Sequence, residues 1–131
     1  VATDVLIAEA FPGDPLGGNS KKIWARKPGR GGRRGPGVID ALYDVHGVLD
    51  EFISRDTTVR RLPVLARWNE FRDHYHRRGE LEALLEEVEQ ARTWTAASFE
   101  AGTEVALVLE RLQALVRRAL DEALVLAVIV D

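Results

Sequence analysis

The chain has 131 residues, no cysteine and no methionine, with 46% hydrophobic residues, 30% charged residues and a net charge of −3. That is one domain's worth of chain with the composition of a folded protein, which excludes a disordered or fibrous one. Without cysteine there is no disulfide framework, no thiolate zinc site and no thiol nucleophile, so the fold must rest on packing or on association.

The charge is unevenly distributed. Residues 12–37 carry Lys21, Lys22, Arg26, Lys27, Arg30, Arg33 and Arg34 against the single acid Asp14, whereas residues 38–131 carry eleven arginines against eighteen acids. This separation predicts a cationic arm that seeks a negative surface, borne by an acidic body.

In chain order, the first element is the apolar stretch from Val5 to Phe11, which reads either as a strand or as a short helix capped by Thr3 or Asp4. It is brief, contains Glu9 and lacks preceding basic residues, so it is not expected to be a secretory signal. Residues 12–37 then hold eight of the eleven glycines and four of the five prolines. No single regular element tolerates that density, so a long arm or loop is expected, with Ile23 and Trp24 as its one anchoring point.

Beyond Gly37 the spacing of Val38, Leu42, Val45, Leu49 and Phe52 predicts one long helix ending near Ser54, with Pro36 just before it. Asp56 and Thr57 offer caps, and Pro63 opens a second predicted helix with Val64, Trp68, Phe71 and Tyr75 on its apolar face. Gly79, after Arg77 and Arg78, is its expected terminator. A third helix is predicted from Glu80 to about Ala97, with Leu81, Leu84, Leu85, Val88 and Ala91 inward and Glu82, Glu86 and Glu89 outward.

Thr103 caps the last predicted helix, whose stripe runs through Val105, Val108, Leu112, Leu115, Ala119, Ala123, Leu126 and Val130. Leu107, Leu109, Val116, Leu120 and Leu124 widen it beyond what one neighbouring helix requires. The β-branched residues between Leu124 and Val130 leave a terminal strand as the alternative. The apolar run from Ala123 to Val130 is too short to span a bilayer. The expected fold class is therefore all-α: a small bundle of three to four helices after residue 37, preceded by a long Gly/Pro/Arg-rich arm or loop. The expected organisation is a short element at 1–11, the basic segment at 12–37 and a helical domain at 38–131.

Motifs for chemistry are weak. Gly13, Gly17, Gly18, Asn19 and Ser20 have the spacing of a phosphate loop, but Asn19 stands where the lysine is required. His74 and His76 point apart on a helix, and the pairs Glu70 with His74 and His46 with Asp50 supply two ligands where a metal needs three or four. Ser20, Ser54 and Ser98 lack the turn context of a hydrolytic nucleophile. No catalytic residue, metal or cofactor is expected, and the chain reads as a non-enzyme.

Two constellations remain. Lys21, Lys22, Trp24, Arg26, Lys27, Arg30, Arg33 and Arg34 form a basic arm in which glycine-spaced arginines suit either carboxylates on a partner protein or the phosphates of a nucleic acid. Leu112, Leu115, Leu120, Leu124, Val128, Ile129 and Val130 form a candidate subunit interface. The expected function is that of a structural or assembly subunit of a homo-oligomeric or multi-protein particle, similar in style to the head, neck or tail connector proteins of phage virions. The alternative is a nucleic-acid-binding subunit of a nucleoprotein complex. Either location, cytoplasm or virion, suits a chain of this composition.

Overall fold

The computed structural model describes residues 3–9, 38–44, 46–70, 72–98, 100 and 102–130, at Val130 for the backbone alone. The fold is mixed α/β, not all-α, and it is not a helical bundle. Four strands, β1 (Thr3–Ala8), β2 (Val38–Tyr43), β3 (His74–His76) and β4 (Val125–Val130), make one antiparallel sheet in the order β2-β1-β4-β3. Among the described residues the helices are α1 (Val48–Ile53), α2 (Asp56–Arg61), α3 (Pro63–Ala66), α4 (Arg78–Ala97) and α5 (Glu104–Asp121), with a 3₁₀ turn at Arg67–Asn69.

The central strands explain much of the correction. β1 and β4 are apolar on both sides, as strands buried on both faces are, and a short continuous run of that kind has no helical signature. Val5 and Ile7 pair with Val128 and Leu126 and point at the helices, while Leu6 pairs with Ala127 on the opposite face.

The first predicted helix divides. Its front half is β2, whose residues pair with β1 from Val38↔Ala8 to Tyr43↔Asp4, with a bulge between Ile7 and Ala8. Gly47, at φ 67°, then turns the chain in a conformation that glycine adopts without strain. Asp44 stops the strand and starts α1, its carboxylate accepting the amides of Leu49 and Asp50 at 3.0 and 2.9 Å. A four-three spacing therefore spans two elements here, because pairing with β1 outweighs the local helical pattern.

The second predicted helix also breaks. Pro63 does open a helical turn, as expected, but α3 lasts four residues and gives way to the 3₁₀ turn and then to the edge strand β3. The first amides of α3 are satisfied from another element: the buried Glu87 of α4 accepts those of Val64 and Leu65, all at 3.0 Å. Gly79 terminates nothing and lies in the first turn of α4.

The third and fourth predicted helices stand as α4 and α5, with the Thr103 boundary correct. The fourth ends at Asp121, not at Val130. Leu124 N donates to Ala119 O at 2.8 Å, and Ala123 N lies 3.5 Å from Leu120 O, the closing pattern of a helix whose next residue is left-handed. That residue is Ala123, at φ 55°, where glycine is usual.

The described helices pack on one face of the sheet. α5 lies across β1, β2 and β4 and packs against α4 and α1, while α4 also meets α3 and β3. The resulting core joins Val5, Ile7, Leu126 and Val128 to Phe52, Leu84, Val88, Leu112 and Leu115.

Candidate functional site

The wide stripe of α5 is used within one chain. Leu112, Leu115, Leu124, Val128 and Ile129 are buried in a single copy and Leu120 is half-buried, while the side chain of Val130 lies outside the described residues. Two contributors make the stripe wide: α5 faces the sheet as well as α4, and the residues after Ala123 belong to a strand. Leu107, 61% exposed, is the outlier. It borders an open groove of about 370 Å³ shared with Tyr43, Asp44, His46, Val48, Glu104 and Val108.

The basic residues Lys21, Lys22, Trp24, Arg26, Lys27, Arg30, Arg33 and Arg34 lie outside the described residues, as does the loop from Gly13 to Ser20. Their attachment is described. Ala8 and Val38 are paired neighbours in the sheet, so the segment between them is tied at both ends to adjacent strands. It is an insertion into a β-hairpin, not a free terminal arm.

Opposite in charge is the outer side of α4. Glu86, Glu89, Gln90, Thr93 and Trp94 line a shallow groove of about 540 Å³. Helical spacing aligns Glu86, Glu89, Gln90 and Thr93 on one flank. Trp94 is half-buried and anchored against Phe52, with ring centroids 6.2 Å apart. Among the described ion pairs, Glu89 meets Arg117 at 3.5 Å, and Glu82 and Glu86 are in none. Two carboxylates beside a fixed indole can receive a guanidinium by ion pairing and by cation–π attraction.

The histidines are arranged differently from the helical expectation. On strand β3, His74 and His76 share one face, with rings stacked 6.4 Å apart, because strand side chains repeat every two residues. Trp68 Nε1 donates to His76 Nε2 at 3.0 Å, which leaves the ring proton on Nδ1, 3.5 Å from Glu80 Oε2. Burial pushes His76 below the usual histidine range, against the pull of Glu80, and burial likewise lowers His74 against Glu70. A carboxylate oriented on a histidine resembles half of a catalytic triad. Here the second nitrogen accepts from an indole, which is not a nucleophile. His46 lies in the turn before α1, away from this pair, and Glu70 is in the loop before β3, not on a shared helix with His74. Among the described residues no group of three His, Asp or Glu side chains is placed to hold a metal, and no helix is long and apolar enough to cross a membrane.

The sequence reading missed the second face of the sheet. Leu6, Ala8, Ala41, Val125, Ala127 and Ile129 form a separate apolar cluster there, with Val38 and Tyr43 packed against it. Its signal in the sequence was the continuous apolar character of Val5–Ala8 and of Val125–Val130, which periodicity cannot assign to two faces. Comparison with known protein families, curated proteins and solved structures found no match.

Proposed function

We propose that the protein is a non-catalytic assembly subunit that joins its neighbours in a homo-oligomer. Arg30, Arg33 and Arg34 of the β1–β2 insertion dock in the acidic groove of α4 on an adjacent copy. The observation that carries this reading is the groove itself: Glu86 and Glu89 flank Trp94 on a surface none of the described elements covers. The donor is fixed to a rigid base at Ala8 and Val38. Glycines around the arginines let each guanidinium find its carboxylate, and a loop of this length reaches well beyond its own sheet at about 3.4 Å per residue. Loop and groove are different surfaces, so two copies can exchange the contact reciprocally, or successive copies can pass it head to tail into a ring or a filament.

The test is the native mass in solution by light scattering, with and without nuclease, across a salt series. The expected mass is a multiple of 14.6 kDa, insensitive to nuclease and reduced to one chain by Glu86→Gln with Glu89→Gln. A single chain at all concentrations would refute the reading. A mass that collapses on nuclease treatment and falls steeply with salt would instead favour phosphate binding by the same arginines.

A further inference from the structure

We propose that the arginine-rich end of the body, with Arg60, Arg61, Arg67 and Arg78 foremost, is a binding surface for the phosphate backbone of a nucleic acid. This surface is separate from Arg30–Arg34 and from the α4 groove, and it does not depend on whether those two dock.

Charge within the body is itself segregated. From Arg55 to Arg78 there are seven arginines against Asp56, Glu70 and Asp73, whereas the rest of residues 38–131 holds four arginines against fifteen acids. Arg60, Arg61, Arg67, Arg72, Arg77 and Arg78 are all exposed. Arg72 meets Glu70, and the half-buried Arg55 meets Glu51 and Glu100. Among the described ion pairs, Arg60, Arg61, Arg67 and Arg78 take part in none.

The fold gathers these side chains at one end of the molecule. Trp68 Nε1 donates to His76 Nε2 at 3.0 Å, with ring centroids 5.9 Å apart, and this joins the 3₁₀ turn to β3. Arg67 precedes the tryptophan, and Arg77 and Arg78 follow the histidine, so cations up to eleven positions apart in the chain become neighbours. Burial lowers the proton affinity of His74 and of His76, and the charge of Arg67 adds to that effect at both, as a cation beside β3 must. Arg60 and Arg61 end α2, which packs on α3, and α3 packs on the 3₁₀ turn.

The character of the surface selects its ligand. Arg78 opens α4 and Arg77 precedes it, at the end where the helix dipole disfavours cations, so this pair does not serve α4 itself. None of the described grooves is lined by these arginines, so the surface suits a polymer laid across it and not an enclosed small anion. A nucleic acid presents an unbroken line of charge to cations spread over α2, the 3₁₀ turn and the start of α4, and each guanidinium fork can take two phosphate oxygens. A protein surface breaks up its carboxylates with other side chains.

The test uses the full chain, freed of carried-over nucleic acid by nuclease and high salt. It is titrated into a fluorescently labelled DNA duplex of about twenty base pairs and followed by anisotropy across a salt series. Binding is expected to weaken with salt. Arg60→Gln, Arg61→Gln, Arg67→Gln and Arg78→Gln together are expected to lower affinity at least about tenfold and to cut the slope of log affinity against log salt by about three to four. The set Arg60→Lys, Arg61→Lys, Arg67→Lys and Arg78→Lys keeps the charge and is expected to retain most of the affinity. Absence of binding at low salt overturns the proposal, as does a loss as large in the lysine set as in the glutamine set. Unchanged binding by the glutamine set, with loss on Arg30→Gln, Arg33→Gln and Arg34→Gln, overturns it by placing the phosphate contacts in the insertion. Displacement of the duplex by polyglutamate at equal charge assigns the surface to an acidic protein instead. A native mass that falls in the glutamine set makes the patch a subunit contact and also overturns the proposal, whereas an unchanged mass with weakened DNA binding supports it and separates this surface from self-association.

Discussion

The two faces of the sheet are built from the same strands by different means. On the helix side, Val5, Ile7, Leu126 and Val128 are large and meet large partners from α1, α4 and α5. On the other side, Ala8, Ala41 and Ala127 are small, and the acid Asp4 lies among them. Large side chains interdigitating with helices gain dispersion energy and bury much apolar area, so that face carries most of the folding stability. That face mixes these small residues with Leu6, Val125 and Ile129. The helix-side face gains most of its packing from large side chains; the other has small residues at its centre.

Substitutions can sharpen or break this contrast. The largest effect is expected from Leu126→Ala, which empties a fully buried site beneath the helices and should cost about 2–5 kcal/mol in denaturant unfolding. On the opposite face Leu6→Ala should cost less, because its cross-strand neighbours are the small Ala41 and Ala127. Equal losses would mean that both faces are packed alike.

Glu87→Leu comes next. It strips the partner from the amides of Val64 and Leu65 and should cost about 1–3 kcal/mol for each unpaired group. Glu87→Gln retains an accepting oxygen and should cost less. A null effect of Glu87→Leu on the melting temperature would show that α3 does not need this carboxylate.

The pH response follows from His76. Its proton affinity is lowered in the folded state, so the unfolded chain takes up the proton first as pH falls through the ordinary value of about 6.5. Stability should therefore be flat on this account above that pH and decline below it, until the folded-state ring titrates as well. Protonation also converts Nε2 into a donor facing the donor Trp68 Nε1. His76→Gln should flatten the onset near pH 6.5 in a pH series of urea midpoints; an unchanged onset would exclude His76 as its source.

The smallest effect, and the only stabilising one, is expected at the α5–β4 junction. Ala123 holds φ 55°, a conformation that costs an L-residue roughly 1–2 kcal/mol and glycine little. Ala123→Gly should raise stability by up to about 1 kcal/mol, net of glycine's greater chain entropy. A loss of stability would mean that the methyl group is packed and not merely strained.

Legibility in the sequence followed the range of the forces involved. α4 and α5 were readable because Leu81, Leu84, Val88 and Ala91, and likewise Leu109, Leu112, Val116 and Ala119, repeat at helical spacing and are all buried. The acids of α4 were placed outward correctly at Glu82, Glu86 and Glu89. What they flank was not visible, because Trp94 reaches the same groove only through the packing of α4 on Phe52. The end of α5 was legible only through the alternative of a terminal strand from Leu124 to Val130, because alanine occupies the left-handed position that a glycine would have announced. β2 was misread because Val38, Leu42 and Val45 satisfy a helical spacing by coincidence, and only the ladder to β1 decides between the two.

By itself the sequence determined the helices α4 and α5, the boundary at Thr103 and the separation of a cationic segment from an acidic body. These depend on residues within a few turns of one another, or on composition alone. Only the tertiary structure decided that Val38–Tyr43, His74–His76 and Val125–Val130 are strands, that Glu87 serves a helix more than twenty residues away, and that the sheet has a second buried face. Hydrogen bonds in a sheet join residues that are distant in the chain, so no local pattern encodes them, and pairing two ends of the polypeptide outweighs whatever either end would prefer alone.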